Sequence, residues 1–92
     1  MSQDEDNRVF RARQGLAYRS LVDGGMVYDP DTRQVHHLNA TAACVWEACQ
    51  EGASVAHATR VLCSRYEIDA ARARADAASV LAEFADAGLV VA

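Results

Sequence analysis

Hydrophobic and polar positions along this chain change their period near its middle. From Leu16 to Leu38 the apolar residues come in short runs broken by turn-forming residues; beyond Asn39 they recur at three- and four-residue spacing. The first half therefore reads as three strands, at residues 16–22, 26–29 and 33–38. Asp23-Gly24-Gly25 supplies the first turn. Asp29-Pro30-Asp31-Thr32 fits a type I turn, with Asp at the first position and Pro at the second. Alternation along the third strand puts Val35 and His37 on one face and Gln34, His36 and Leu38 on the other. Residues 1–14 show no apolar periodicity and are expected to form a flexible tail, leaving residues 15–92 as one domain.

The second half predicts three helices. The first spans residues 40–50, capped by Asn39 or Thr41, with Ala42, Val45, Trp46 and Cys49 as its buried stripe and Gly52 ending it. Ser54 caps the second, residues 55–66, which turns Val55, Ala58, Leu62 and Tyr66 inward with Val61 beside them. Asp69 caps the third, which runs to residue 87. Gly88 ends it and lets Leu89 fold back onto Phe84 in a Schellman cap. Three short strands are stable only when something covers a face of their sheet, and the helices must do so. The expected architecture is α+β and winged-helix-like: a small three-stranded antiparallel sheet followed by three helices.

The third helix carries three stripes. Arg72, Asp76, Ser79, Glu83 and Asp86 are polar; Ala73, Ala77, Val80, Leu81 and Phe84 form the core face; Ala71, Ala75, Ala78, Ala82 and Ala85 run between them, with Arg74 at the edge. Alanine adds little bulk, so another backbone can approach this flank closely. The strip equally fits tight packing on a neighbouring helix, or alanine's helix propensity alone.

Composition narrows the function. At 51% hydrophobic and 24% charged, the 92 residues are those of an ordinary globule. No apolar run approaches the ~20 residues of a membrane span, and the polar opening MSQDEDNRVFRAR is no secretory signal. The net charge of −4 argues against a phosphate-binding surface. Cys44, Cys49 and Cys63 are odd in number and lack Cys-x-x-Cys spacing, so they suit neither a disulfide framework nor zinc; small buried hydrophobes in a reducing cytosol is the plainer reading. His36 and His37, adjacent on a strand, point to opposite faces and cannot easily share a metal. No nucleophile–base pair can be defended. The expectation is no catalysis, no metal and no cofactor.

The order of elements carries a resemblance. The hairpin ending in Leu38-Asn39, the helices TAACVWEACQEG and SVAHATRVLCSRY, and the closing segment IDAARARADAASVLAEFADAGLV resemble the PqqD-like family, the precursor-peptide recognition elements of ribosomally made and modified peptides. The likeness spans about residues 16–91. Two departures stand out: Glu51-Gly52 where members often carry Asp-Gly, and Asp76-Ala77 where many carry Asp-Val. The Val-Tyr-Asp-Pro and His-His-Leu-Asn surroundings look closer to stand-alone versions found with lasso-peptide or other peptide clusters than to the pyrroloquinoline quinone pathway protein.

The resemblance implies a domain that binds a precursor's leader as an extra strand on the third strand, in the groove beside the third helix. It would present that peptide to a leader protease, a cyclase or a radical SAM enzyme. The residues so implied are Arg33, Gln34, Val35, His36, His37 and Leu38 on the strand, with Ala71, Arg74, Ala75, Ala78 and Ala82 on the helix. Physical reasoning runs the same way: an edge strand offers unpaired N–H and C=O groups to an extended peptide, and Arg74 suits a leader carboxylate. A cytoplasmic location and no nucleic-acid or membrane partner are expected. The rival class is a winged-helix DNA-binding regulator using Arg60, Arg65, Arg72 and Arg74, opposed by Asp76, Glu83 and Asp86 on the same helix.

Overall fold

The computed structural model describes residues 7–92. Its elements, in chain order, are β1 (Arg11–Ala12), β2 (Ala17–Leu21), β3 (Gly24–Asp29), β4 (Gln34–Asn39), α1 (Ala40–Cys49), α2 (Val55–Arg65), α3 (Ala70–Asp86) and β5 (Val90–Val91). The three-stranded antiparallel sheet has the order β2-β3-β4, so β4 lies at an edge, and three helices follow it as the pattern predicts.

The first turn sits two residues earlier than expected. Val22 and Asp23 form it, while Gly24 and Gly25 belong to β3, opposite Leu21 and Ser20 on one side and Asn39 and Leu38 on the other. Packing demands glycine here. Gly24 has φ +152°, and a Cβ on it would collide with the Leu38 carbonyl oxygen. On Gly25 a Cβ would lie 2.6 Å from the ring of Tyr18. That ring fills the vacant space and its hydroxyl donates to Glu47 at 3.0 Å.

The second turn is one residue wider than a type I turn alone. The Arg33 amide donates to the Asp29 carbonyl at 2.7 Å, and Arg33 takes φ +62°. Arg33 therefore belongs to the turn, not to the strand. Asp29 also accepts from the Asp31 amide at 2.9 Å, the local bond that makes Asp a turn starter.

All three predicted caps form: Asn39 accepts from the Ala42 amide (2.8 Å), Ser54 from His57 (3.0 Å) and Asp69 from Arg72 (2.8 Å). At the end of α3 the Leu89 amide donates to Phe84 at 2.9 Å and Gly88 to Ala85 at 3.1 Å, with Gly88 at φ +73°, which is the expected Schellman cap. The core centres on Trp46, whose ring meets Phe84 edge-on at 5.4 Å and Tyr18 at 6.2 Å. Leu62, Leu81, Val45 and Val27 complete it. Cys44 and Cys49 are buried as expected; Cys63 is exposed, contrary to the reading of all three as core.

The expected tail needs correction. Residues 1–6 of it lie outside the described residues, but Phe10 pairs with Ala53 in both directions at 2.8 Å, and β1 pairs antiparallel with β5. The Phe10 partner is 43 residues away and the β1 partners are 78 and 80 residues away, so a local periodicity search has nothing to register.

Candidate functional site

Beta-strand β4 is an open edge: its register partner is β3 on one side, and no strand of the described residues pairs with its other side. Alternation holds along it. Val35 and His37 are exposed, while His36 and Leu38 are half-buried on the helix side. The Nε2 atom of His36 is buried without a hydrogen-bond partner.

Helix α3 approaches the two ends of β4, its first turns near Asn39 and its C-terminal end near the β3–β4 turn. Its first turns meet the end of β4, where Asn39, Thr41, Arg72, Asp76, Ser79 and Val80 line a cleft of about 240 Å³. Its C-terminal end meets the β3–β4 turn, where the Arg13 side chain bridges Gly88 to Asp29 and Asp31. Small or polar side chains and an open sheet edge thus border one channel. On the helix wall Arg72 Nε lies 3.7 Å from Asp76, an i,i+4 pair of small energetic weight that an incoming charge can displace.

The alanine strip lies elsewhere. Ala78 and Ala82 line a separate depression of about 270 Å³ with Arg8, Phe10, Val55 and Leu81, on the flank of α3 that faces α2 and the N-terminal segment. Helical rotation puts Ala71 and Ala75 on that same side. The structure therefore does not bring Ala71, Ala75, Ala78 and Ala82 into the channel beside β4. Arg74 is exposed, next to that strip in the helical rotation. Of the expected site, Gln34, Val35, His36, His37 and Leu38 lie together on the edge strand, and Arg33 stands at the turn before it. On the helix side Arg72, Asp76 and Ser79 of the polar stripe line the cleft at Asn39, together with Val80. The sequence held no signal for this choice, because the polar and alanine flanks lie on either side of the same buried face of α3.

A larger cleft, about 440 Å³, opens between α1 and α2, with Glu47, Ala48, His57 and Arg65 among its walls. It lies on the β2 side, away from β4, and its charges compensate one another: Arg65 approaches Glu47 at 3.7 Å and Tyr18 donates to the same carboxylate. Strand β2 is also an edge of the sheet, but no strand residue lines this cleft, so size alone does not make it the better candidate.

The electrostatics suit a small polar surface. Two of the four arginines that a DNA-binding reading requires, Arg65 and Arg72, are paired with Glu47 and Asp76. Burial pushes the Cys49 thiol up to about 12 and the Cys44 thiol upward as well, with the Arg65 charge opposing the second shift. Neither is poised as a nucleophile. Among the described residues no group of three His, Cys, Asp or Glu side chains converges on a metal position, and no helix is long and apolar enough to cross a membrane.

Comparison with known proteins bears on the family and the fold. The family model described as Coenzyme PQQ synthesis protein D (PqqD) matches residues 24–90. No curated protein sequence matches the chain. Among solved structures, a lasso peptide synthetase B1 complexed with its leader peptide aligns with TM-score 0.76 at 25% identity, covering 90% of this chain and 98% of that one. TbiB1 in complex with the TbiA(beta) leader peptide aligns with TM-score 0.77 at 18% identity, over 87% and 93% of the two chains. The PqqD truncation of Methylobacterium extorquens PqqCD, described as a functional stand-alone recognition element, gives TM-score 0.77 at 20% identity, over 95% and 93%. The last two identities show a shared fold. With the family model matched from β3 into β5, over most of its length, this chain belongs to the PqqD family.

Proposed function

We propose that this chain binds the leader segment of a ribosomally made precursor peptide and presents it to a modifying enzyme. The leader adds as a strand along β4, taking its ladder from the backbone of Gln34–Asn39. Side chains on one side of the leader enter the cleft of Asn39, Thr41, Arg72, Asp76, Ser79 and Val80. The observation that carries the reading is the open edge of β4 with that cleft beside it. Leader peptides on two structures of the same fold support it. The chain contributes recognition; chemistry belongs to the recipient enzyme, of the leader-protease, cyclase or radical SAM kind. The domain that acts this way comprises residues 10–92, and it works in the cytoplasm, where precursor peptides are made.

Strand addition supplies several backbone bonds of about 1 kcal/mol each together with buried side chains, enough for roughly micromolar binding, or about −8 kcal/mol. The test is calorimetric titration with synthetic leader segments of the small open reading frames that flank this chain's gene. One of them binding at micromolar Kd or tighter, with little dependence on salt, supports the reading. No leader binding, together with duplex-DNA binding that falls steeply with added salt, overturns it in favour of the regulator.

A further inference from the structure

Asp29 is the only buried polar or charged residue among the described ones, at 2% exposure, and the proposed function does not use it. Its carboxylate receives the Arg13 guanidinium at 2.6 Å. Arg13 is shared among three elements. It also donates through Nε to the Gly88 carbonyl at 2.8 Å and to Asp31 at 3.1 Å, while its amide donates to Leu89 at 2.9 Å. One side chain therefore ties the β3–β4 turn to the C-terminal end of α3.

The placement gives this tie a consequence for the channel. At the Asn39 end, its two walls are held by chain connectivity: β4 runs straight into α1, and α1 packs on α3. At the turn end β4 and α3 are not connected in sequence, and the Arg13 side chain bonds the end of β3 and the β3–β4 turn to Gly88, two residues beyond α3. A peptide that pairs with β4 and packs on α3 at once needs both walls at a set spacing, because strand pairing and side-chain contact tolerate little displacement.

We propose that Arg13 is a positioning residue for leader docking: with Asp29 it pins the open end of the β4–α3 channel and sets its width. Arg13 need not touch the peptide. The proposal rests on the leader-binding reading for its biological meaning, but the channel width is measurable without any peptide. Spin labels at Val35→Cys and Glu83→Cys, in a Cys63→Ser background, report it by electron–electron double resonance, since Cys44 and Cys49 are buried from the reagent. The parent gives one narrow distance distribution. Arg13→Ala and Asp29→Asn each broaden it at least twofold.

Two controls separate positioning from general loosening. Arg11→Ala removes a bond of the same segment to the Glu51 carbonyl, on the far side from the channel. Leu62→Val trims a fully buried core side chain and lowers melting temperature. Both keep the parent distribution. Arg13→Ala as narrow as the parent, or equal broadening in Leu62→Val, overturns the proposal. A 20-residue peptide selected on the parent from a displayed library, and lost on Ser79→Trp, serves as the binding probe. It binds Arg13→Ala about tenfold more weakly and Arg11→Ala within twofold of the parent. Equal affinity for Arg13→Ala and the parent also overturns the proposal, whereas failure to select any such peptide counts against the leader reading and leaves the distance measurement to decide on Arg13.

Discussion

Ser79→Trp and Ala82→Trp form a matched pair that locates the peptide on one flank of α3 or the other. Both positions are exposed on the same helix, three residues apart, so neither indole disturbs the core. Ser79 lines the 240 Å³ cleft beside the end of β4; Ala82 lines the depression shared with Phe10 and Val55. An indole buries about 150–250 Å² of surface, and at Ser79 it projects into the cleft. A leader strand meeting it forfeits about two pairing bonds at ~1 kcal/mol each and the burial of one apolar side chain at ~1.5 kcal/mol. The loss is roughly 3.5 kcal/mol, on the order of a hundredfold or more in Kd. Calorimetric titration with the cognate leader, alongside melting curves to confirm folding, reads the effect. Ser79→Trp is expected to lose about a hundredfold and Ala82→Trp less than threefold. The reverse result refutes the channel described here and restores the alanine flank as the peptide's seat.

Other outcomes follow from the geometry. Gly24→Ala is expected to destabilise the fold by more than ~2 kcal/mol in denaturant titration, because its positive φ and the Leu38 carbonyl leave no room for a methyl group; a change under 0.5 kcal/mol would contradict the sheet register. In the native protein an alkylating reagent should modify Cys63 quickly and Cys44 and Cys49 only after unfolding, as mass spectrometry of the labelled peptides will show. Burial raises the Asp29 carboxyl, but bonds from Arg13 and from the Asp31 and Thr32 amides outweigh it and hold the group below its ordinary value. Its stabilising contribution is then complete above about pH 3.9 and is lost as pH falls through the lowered folded value. The melting-temperature gap between the parent and Asp29→Asn should stay constant from pH 7 to about 4.5 and close below about 3.9. A gap that closes near neutrality would refute the assignment.

Local chemistry determined much of this protein. Asn39, Ser54 and Asp69 start helices because each side chain reaches an amide three residues on, and Gly88 ends α3 because it alone adopts the left-handed turn cheaply. Trp46 is core because its helical neighbours are. These are interactions over a few residues, and the period of the chain displays them. Two other features became visible only in three dimensions. The N-terminal segment pairs with Ala53 and β5 through backbone bonds that carry no side-chain code. Which flank of α3 faces β4 depends on how the helix rotates about its own axis when Ala73, Ala77, Leu81 and Phe84 pack down. The stripes of α3 were legible, but the polar and alanine flanks lie on either side of that core face with equal claim. The deciding fact is the path of the chain through Asn39 into α1, which sets Arg72, Asp76 and Ser79, not the alanines, against the open strand.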